Sequence, residues 1–389
     1  MPLSTPATQP DVLVVGAGPA GLAAAITSAN KGLHVEVVDA MRPPIDKACG
    51  EGLMPDAMRS LAGLGFNLNR DLRQIENHLL RGIRFLNEQP AASTEATFPA
   101  SPGRGIRRTI LHQLLLDRAL ALGVRFHWEN SVQGIEPTAT GHLLRTNRQT
   151  LRTRYLIGAD GHQSRIAAWA GLTKATIYSR RIGLRQHFTI APWTNFVEVY
   201  WSDKGQAYVT PTSRNEVCVA FISNQKIPSA DEAFAYFPTL KRHLTTAIPS
   251  SAPRGSVTLG RSLRRVATNN IALIGDASGS VDAVTGEGLA LCFRQASALA
   301  KALNADDLAL YQHAHRRIQL APSLMSRSLL LMDRSLAFAP ESLTPLHTTP
   351  SSSNVSSRFT SATAPASSRV LTNCLPRDYT CSQARVNQG

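Results

Sequence analysis

The chain has 389 residues, of which 43% are hydrophobic, and a formal net charge of +14. Its length predicts two or three structural units with a full hydrophobic core, and no apolar stretch in the sequence is long enough to span a bilayer. The basic residues come as scattered pairs without a long run or interleaved aromatic residues, which argues against a nucleic-acid partner and favours a positive surface that attracts anionic cofactors.

The N-terminal segment starts with ten polar, proline-containing residues, which predict a disordered lead. A buried strand is predicted at residues 12–15, then a glycine-rich turn, an alanine-rich helix and a second strand at 33–38. The residues of the turn and of the second strand's end are Gly16, Gly18, Pro19, Ala20, Gly21, Asp39 and Ala40. This order of strand, GxGxxG turn, helix, strand and acid is typical of a dinucleotide-binding βαβ unit.

Each residue of that motif has a chemical task. Gly16 allows the tight turn, Gly18 lets a pyrophosphate approach the backbone, and Gly21 lets the helix pack closely on the strand. The helix N-terminus offers free N–H groups and partial positive charge to the phosphates. Asp39 can accept hydrogen bonds from ribose hydroxyls and would repel a 2′-phosphate, which favours FAD or NAD over NADP.

Residues 41–178 predict further mixed α/β structure after a loop at 41–51 that is rich in proline, glycine and charge. The predicted helices are 53–64 and 109–122, and the predicted strands are 83–86, 96–98, 124–128, 143–146 and 151–156. The last two strands form a hairpin that leads into Asp160 and Gly161.

From residue 179 the sequence is rich in β-branched and aromatic residues, which predicts an antiparallel sheet as a second layer. Its strands are predicted at 182–190, 196–201, 207–211 and 217–222. A helix at 231–244 is predicted to break near Pro238. A buried strand at 271–274 then leads into Gly275 and Asp276, and helices follow at 289–303 and 308–320.

Three motifs thus follow the carboxyl ends of apolar strands: the glycine turn at 16–21, the Asp160–Gly161 pair, and the Gly275–Asp276 pair. In an open α/β sheet, ligands bind at this edge. We therefore expect the three motifs to contact one ligand.

With these motifs in order, residues 11–336 resemble the glutathione-reductase-type FAD fold of the group A flavoprotein monooxygenases and the geranylgeranyl reductases. The resemblance implies an α/β fold class with a discontinuous, Rossmann-like FAD-binding domain at 11–178 and 262–305. An antiparallel β-sheet substrate domain is inserted at 179–261, and C-terminal helices occupy 306–340.

The resemblance also implies roles for single residues. The glycine turn and Asp39 would hold the ADP half of FAD, and Arg108, which precedes a helix, would lie near the cofactor. Asp160 and Gly161 match a motif near the pyrophosphate, which some members also use for NAD(P)H. Asp276 matches the acid that hydrogen-bonds the ribityl chain.

The helix predicted at 289–303 also begins at this edge of the sheet, and its N-terminus would lie at the flavin end of the cofactor. Gly286, Gly288 and Leu289 match the segment whose N–H groups point at the pyrimidine edge of the flavin. A helix N-terminus there would stabilise negative charge on the reduced flavin.

Departures from the family patterns discriminate among its branches. Many aromatic hydroxylases have Ala-His after the Gly-Asp pair, whereas this chain has Ala277 and Ser278. The loop segment Cys-Gly-Glu-Gly at 49–52 and the segment Thr-Gly-Glu-Gly at 285–288 are more similar to the geranylgeranyl-reductase branch. No lysine typical of a flavin-dependent halogenase is identifiable.

The catalytic candidates are Cys49, Glu51 and Glu287. Cys49 would lie near the isoalloxazine, and the alternative is a buried thiol in a turn. The two glutamates would transfer protons, and the alternative is that they cap the helices predicted after them. We expect His112 and His187 to have structural roles. No cluster of His, Cys and Asp residues in the sequence has the spacing of metal ligands, so no metal site is predicted.

Together these features predict a cytoplasmic FAD-dependent oxidoreductase with NAD(P)H as electron donor and a small apolar, aromatic or isoprenoid substrate. The reduced flavin would either activate O₂ for oxygenation or give a hydride to an alkene, and the sequence leaves both open. A non-catalytic FAD-binding protein is the alternative from another class.

Two features bear on location. The five cysteines (Cys49, Cys218, Cys292, Cys374 and Cys381) form no CxxC pair, and no secretory signal is present, so reduced thiols are expected. The apolar, arginine-containing segment at 324–336 is compatible either with contact to a membrane surface or with packing on the substrate domain.

The C-terminal segment 341–389 is dominated by Ser, Thr, Pro and Ala without periodicity, which predicts disorder. A frameshift in the gene is the second explanation, because the helical pattern stops abruptly. A well-patterned helical ending in a neighbouring frame would support the frameshift, and its absence would exclude it.

Overall fold

The computed structural model describes residues 9–87, 92–225 and 229–334. Predictions for residues 1–8 and for the segment 341–389 lie outside these ranges.

The elements are numbered in chain order. The strands are β1 Val12–Val15, β2 Val35–Val38, β3 Gly52–Leu53, β4 His78–Leu80, β5 Gly82–Asn87, β6 Ala92–Thr97, β7 Gly103–Gly105, β8 Arg125–His127, β9 Val132–Thr138, β10 Gly141–Thr146, β11 Thr150–Thr153, β12 Tyr155–Gly158, β13 Ala175–Thr189, β14 Phe196–Ser202, β15 Gly205–Pro211, β16 Glu216–Ser223, β17 Ile248–Pro249, β18 Arg254–Leu263, β19 Ala267–Thr268, β20 Ile271–Leu273 and β21 Gly279–Ser280. The α-helices are α1 Pro19–Ala29, α2 Pro55–Gly63, α3 Leu68–Asp71, α4 Arg108–Ala121, α5 Arg165–Trp169, α6 Ala230–Ala235, α7 Pro238–His243, α8 Gly288–Asn304 and α9 Leu308–Arg334.

A six-stranded sheet has the order β19-β20-β12-β1-β2-β8, and all its pairs are parallel except the edge pair of β19 and β20. Strands β1, β2, β12 and β20 are buried along their whole length, which explains their continuous apolar runs. Because β1, β12 and β20 are neighbours and parallel, the segments that follow them meet at one edge.

The helices α1, α4 and α8 cover this sheet, and α1 packs against both of the others. The hydroxyl of Thr27 in α1 donates to the Ala296 carbonyl of α8 at 3.1 Å. The N-terminal βαβ unit and the C-terminal helix therefore share one core, although they are far apart in the sequence.

A second, larger sheet has the order β21-β18-β13-β16-β15-β14-β5-β6. It is antiparallel apart from the parallel pair of β5 and β14. Its core contains Phe188, Tyr200 and Phe221, which lie with Phe234 and Phe237 of the α6–α7 region. The mixed α/β fold class, with an antiparallel second sheet, is confirmed.

Two features of this layer differ from the predicted elements. Strands β5 and β6 come from residues 82–97 and join the second sheet beside β14, a pairing that the local pattern cannot indicate. Strand β18 was not predicted, because its ten residues are mostly small or polar and lack an apolar run. It is placed by its long pairing with β13.

Helix α9 extends beyond the predicted end at residue 320 and passes through Pro322 to Arg334. A proline in a helix interior costs about 3 kcal/mol, since it removes a hydrogen bond and crowds the preceding turn. Contacts made by the later part of the helix offset this cost. Ser326 is fully buried and its hydroxyl accepts a hydrogen bond from the backbone N–H of Asp282 at 3.2 Å.

The turn between β1 and α1 is the tightest approach in the parallel layer. A Cβ at Gly21 would lie 1.8 Å from the Gly16 carbonyl oxygen. Gly16 has φ +105°, and a Cβ there would lie 2.5 Å from the Ala159 carbonyl oxygen, at the end of β12. Both positions therefore require glycine, one for packing and one also for its backbone conformation.

Candidate active site

The acid at the end of β2 is fixed by the glycine turn. The Ala17 N–H donates to Asp39 Oδ2 at 2.7 Å, and the Met41 N–H donates to Oδ1 at 2.8 Å. Each carboxylate oxygen keeps further acceptor capacity, as ribose hydroxyls would require. At Gly18 an added Cβ would meet no described atom within 4 Å, so the turn has an open face beside the N-terminus of α1.

A buried histidine supports this turn from behind. His112 of α4 is fully buried, and its Nε2 lies 2.9 Å from the Ala17 carbonyl oxygen, which can only accept. Burial is the main cause that lowers the pKa of His112, so the ring is neutral near pH 7 and donates through Nε2.

The Asp160–Gly161 motif follows β12. Asp160 Oδ2 accepts the backbone N–H groups of Arg165 at 2.8 Å and Ile166 at 3.2 Å, and so caps α5. Asp160 Oδ1 is buried without a partner among the described residues. Gly161 has φ +81° and open space where a Cβ would be. One oxygen is therefore structural and the other is available to a ligand.

The Gly275–Asp276 motif follows β20 and is surrounded by positive charge. Lys47 Nζ lies 2.8 Å from Asp276 Oδ2, and both side chains are about half exposed. Arg261 donates to the Asp276 carbonyl oxygen at 2.8 Å. Burial and then Lys47 lower the pKa of the neighbouring His162. The predicted ribityl position is thus bordered by two cations, Lys47 and Arg261, which come from separate segments.

The start of α8 forms the far end of the site. Gly286 has φ +64°, and neither Gly286 nor Gly288 would bring a Cβ within 4 Å of a described atom. The side chain of Glu287 makes no capping hydrogen bond, and its Oε2 is buried without a described partner. Burial, opposed by Arg294, raises the pKa of Glu287 from 4.5 to about 7.

The loop with Cys49 and Glu51 meets α4 through paired strands. Strand β3 pairs with β7, and the Ile106 N–H donates to the Glu51 carbonyl oxygen at 3.0 Å. This pairing places the Glu51 carboxylate at the start of α4, where its Oε1 accepts the Arg108 N–H at 3.0 Å. Glu51 therefore caps a helix, but it caps α4 rather than the helix that follows it in the sequence.

Within the same loop, Glu51 has φ +62° and is 1% exposed. A buried, non-glycine residue in this conformation is strained and needs support from its surroundings. Its N–H lies 3.4 Å from Cys49 Sγ. Burial and the Glu51 charge raise the pKa of the Cys49 thiol, so the thiol is protonated near pH 7.

Arg108 is 4% exposed, and its Nη1 is buried with no partner in the described part of the chain. Burial lowers the pKa of Arg108, with Cys49 and Cys292 among the groups that oppose this effect. A buried guanidinium nitrogen without an acceptor is costly, which points to a ligand that supplies one.

The residues present fit an extended dinucleotide. Arg108, Asp160 and Glu287 each have a buried polar atom without a described partner, and they lie on three different segments. Open glycine positions occur at 18, 161, 286 and 288. Two helix N-termini, of α1 and α8, face the same edge of the parallel sheet and favour negative charge.

A polar cluster behind Glu51 is missed by the sequence analysis. His187 Nε2 lies 2.7 Å from Glu51 Oε2, and Arg185 donates to Asp46 Oδ1 at 2.6 Å. Arg185 is 2% exposed and His187 1%. The available signal is the presence of polar residues at the alternate positions 185 and 187 of the strand predicted at 182–190.

The fold and this site define a flavin-dependent oxidoreductase. The model of the family described as FAD binding domain matches residues 9–314, and the chain belongs to this family. It is an FAD-dependent oxidoreductase.

Two relatives show what this chain is similar to. It is 31% identical over 304 residues to the menaquinone reductase of Mycolicibacterium smegmatis, which covers 72% of this chain and 73% of the relative. It is 26% identical over 299 residues to digeranylgeranylglycerophospholipid reductase 1 of Methanothermobacter thermautotrophicus, with 72% and 74% covered.

Solved structures agree with the fold. The flavin-dependent brominase Bmp2 superimposes with a TM-score of 0.73 at 18% identity and covers 86% of this chain and 92% of its own. The flavin-dependent halogenase CmlS gives a TM-score of 0.74 at 20% identity, with 85% and 65% covered. In the described ranges no helix has the length and apolar character needed to cross a bilayer.

Two glycines of one turn provide a matched test of the cofactor site. Gly18→Val should leave the free energy of unfolding of the apo-protein within about 1 kcal/mol of wild type, because its side chain enters open space. It should raise the Kd for FAD at least about tenfold, since the new atoms occupy the phosphate approach. Gly21→Ala should instead destabilise the apo-protein by about 1–3 kcal/mol or more. Urea unfolding and FAD titration measure both, and tight FAD binding by Gly18→Val would contradict the site.

The raised pKa of Glu287 predicts a pH-dependent stability of the apo-protein. The folded state retains a proton that the unfolded state loses, so this contribution is complete below pH 4.5 and is lost as the pH rises to about 7. Glu287→Gln should remove this contribution to the change of the free energy of unfolding with pH, as measured by urea unfolding between pH 5 and 8. The exposed Glu76 provides the control substitution, Glu76→Gln. Equal slopes in wild type and Glu287→Gln would refute the prediction.

Proposed function

We propose that this FAD-dependent oxidoreductase takes electrons from NAD(P)H and reduces a carbon–carbon double bond of an apolar isoprenoid or isoprenoid quinone. The observation that carries the proposal is the 31% identity to a menaquinone reductase across 72% of the chain. A second relative is named for a geranylgeranyl lipid, and a polyprenyl chain is the feature that the two substrate classes share.

The described residues support the binding half of this function. The α1 turn and Asp39 would hold the adenosine half of FAD, Asp160 and Asp276 its middle, and the start of α8 its ring. Bound FAD would supply hydride transfer. The positive end of α8 would stabilise negative charge that develops beside Gly286 and Gly288. The net charge of +14 favours an anionic dinucleotide as the electron donor.

Two neutral thiols lie at the predicted reaction end. Cys49 has a raised pKa and stays a neutral thiol, and Cys292 at the start of α8 is likewise buried with a raised pKa. Glu287, with a pKa of about 7, is able to take up or release a proton near neutral pH. Neutral groups of this kind suit the reduction of an uncharged alkene.

The long helix α9 supports access to a substrate in a membrane. Leu320, Leu324 and Leu331 are 63%, 57% and 66% exposed, so they do not pack on the described part of the substrate sheet. They share one face of the helix, since their spacings are four and seven residues. Two arginines lie near the same face, as on helices that lie on anionic bilayers: Arg316 and Arg317.

The proposed reductase activity is tested under anaerobic conditions. Protein loaded with FAD should oxidise NADH or NADPH when a menaquinone or a geranylgeranyl lipid is supplied in vesicles. Mass spectrometry should show one added hydrogen pair per reduced double bond, and Gly18→Val should lose the activity together with FAD. Product that forms only in air and contains a new oxygen atom would refute the reductase and support an oxygenase.

The membrane contact is tested separately. Leu320→Ser combined with Leu324→Ser should lower binding to phosphatidylglycerol vesicles at least about tenfold in a sedimentation assay. The reason is that each leucine would contribute roughly 1.5–3 kcal/mol when it inserts into the bilayer. The control is Ile248→Ser, which removes an equally exposed apolar side chain from the second sheet. Equal binding by the double variant and wild type would exclude this face.

A further inference from the structure

A basic cavity lies beside the C-terminal end of α5, where β13 begins and β18 ends. It has a volume of about 320 Å³ and is lined by Gly171, Leu172, Lys174, Arg264 and Arg265. This volume is at the lower end of the range of small-ligand pockets, about 300–1,000 Å³. None of the residues assigned above to the cofactor lines the cavity, so it is a separate place on the molecule.

Backbone contacts hold the basic residues of this cavity together. The Arg264 N–H, just after β18, donates to the carbonyl oxygen of Lys174, just before β13, at 2.9 Å. Arg316 Nη2 of α9 lies 3.5 Å from the Arg264 carbonyl oxygen. Helix α9 is fixed here because the Val266 N–H donates to Gln312 Oε1 at 2.8 Å. Four cations from three segments therefore converge, and they are called the basic cluster: Lys174, Arg264, Arg265 and Arg316.

The basic cluster lacks carboxylate partners. No acidic residue lines the cavity, and within the described ranges no member of the cluster forms an ion pair. Exposed arginines elsewhere do form them, such as Arg42 with Glu129 at 3.0 Å and Arg254 with Asp46 at 2.8 Å. Like charges that converge without a counter-charge repel each other, and a bound anion would remove that repulsion.

We propose that the basic cluster binds the phosphate group of an anionic phospholipid. Arginine and lysine donate charge-assisted hydrogen bonds to phosphate oxygens, and the planar guanidinium matches two of these oxygens at once. The proposal rests on the membrane access that the proposed function assigns to α9, and it names the lipid that this surface recognises.

Apolar side chains on the bordering elements favour a lipid over a soluble phosphate. Trp169 on α5, Ile177 on β13 and Leu320 on α9 are 37%, 59% and 63% exposed. Tryptophan is enriched where lipid meets water. Arg316 and Leu320 are four residues apart, so they lie on the same side of α9. A soluble phosphate would contact the cations alone, whereas a phospholipid also brings acyl chains to these side chains.

The first test removes two charges from the cavity. Lys174→Gln combined with Arg265→Gln should weaken binding to vesicles of equal parts phosphatidylglycerol and phosphatidylcholine at least about tenfold, because each cation near an anionic bilayer adds to binding. Both side chains are exposed, so the free energy of unfolding should stay at the wild-type value.

The matched control removes the same charges from another surface. Arg214→Gln combined with Lys241→Gln changes exposed residues of the β15–β16 turn and of α7. It should alter vesicle binding by less than about twofold at physiological ionic strength, where charges away from the contact are screened. Equal weakening in the two double variants would overturn the proposal. So would equal binding of wild type to vesicles of phosphatidylcholine alone.

The second test separates a lipid from a soluble phosphate and uses the wild-type chain. At a lipid concentration about ten times the Kd, the mixed vesicles should slow acetylation of Lys174 by acetic anhydride about tenfold, as measured by mass spectrometry. The exposed Lys241 is the internal control and should react at an unchanged rate. Glycerol phosphate at the same concentration should not protect Lys174. Equal protection by glycerol phosphate, or no protection by vesicles, would overturn the lipid site.

Reductase assays distinguish this site from the proposed function. The Lys174→Gln and Arg265→Gln double variant should reduce an isoprenoid in detergent micelles at the wild-type rate. At low concentrations of the mixed vesicles its rate should fall at least about tenfold, in step with binding. A wild-type rate on these vesicles would overturn the lipid site and leave the reductase intact. If wild type reduces no isoprenoid in either form, the proposed function fails, and vesicle binding and protection of Lys174 still decide the lipid site.

Discussion

The close contact of Gly16 with Gly21 and Ala159 is the constraint on which the cofactor site depends. A Cβ at Gly21 would lie 1.8 Å from the Gly16 carbonyl oxygen, so α1 can approach β1 only if residue 21 lacks a Cβ, and a Cβ at Gly16 would collide with the Ala159 carbonyl oxygen at 2.5 Å. The same contact holds the end of β12 against the turn. The carboxyl ends of β1, β12 and β20 then lie side by side at one edge of the parallel sheet. Without this approach, Asp39, Asp160 and Asp276 would belong to unrelated turns.

Glu51 has the corresponding position at the reaction end. One carboxylate oxygen caps α4 through Arg108, and the other pairs with His187 of the second sheet. The residue therefore connects the parallel layer, the Cys49 loop and the antiparallel layer. Its φ of +62° is stable only because these partners hold it in place. Glu51 therefore links the position of the Cys49 thiol to the register of β13. The second sheet thus contributes contacts to the site and also covers it.

Burial sets the charge of most groups in the site. It keeps the thiols of Cys49 and Cys292 neutral, keeps His112 neutral behind the glycine turn, and raises the pKa of Glu287 to about 7. Positive charge remains at Arg108 and beside Asp276, where an anionic cofactor would neutralise it. The site thus combines the cations Lys47, Arg261 and Arg108 with the neutral thiols of Cys49 and Cys292.

The sequence by itself determined the parallel layer and its three motifs, because apolar runs, glycine spacing and a terminal acid are local features of the chain. It also predicted Cys49, Glu51 and Glu287 as residues of interest. Only the tertiary structure decided their partners. Glu51 was expected either to cap the next helix or to transfer protons, and strand pairing between β3 and β7 placed it at the start of α4 rather than at the next helix. His187 lies 136 residues away from Glu51 in the sequence. Contacts of that kind depend on sheet register and on layer packing, which no local pattern of residues encodes.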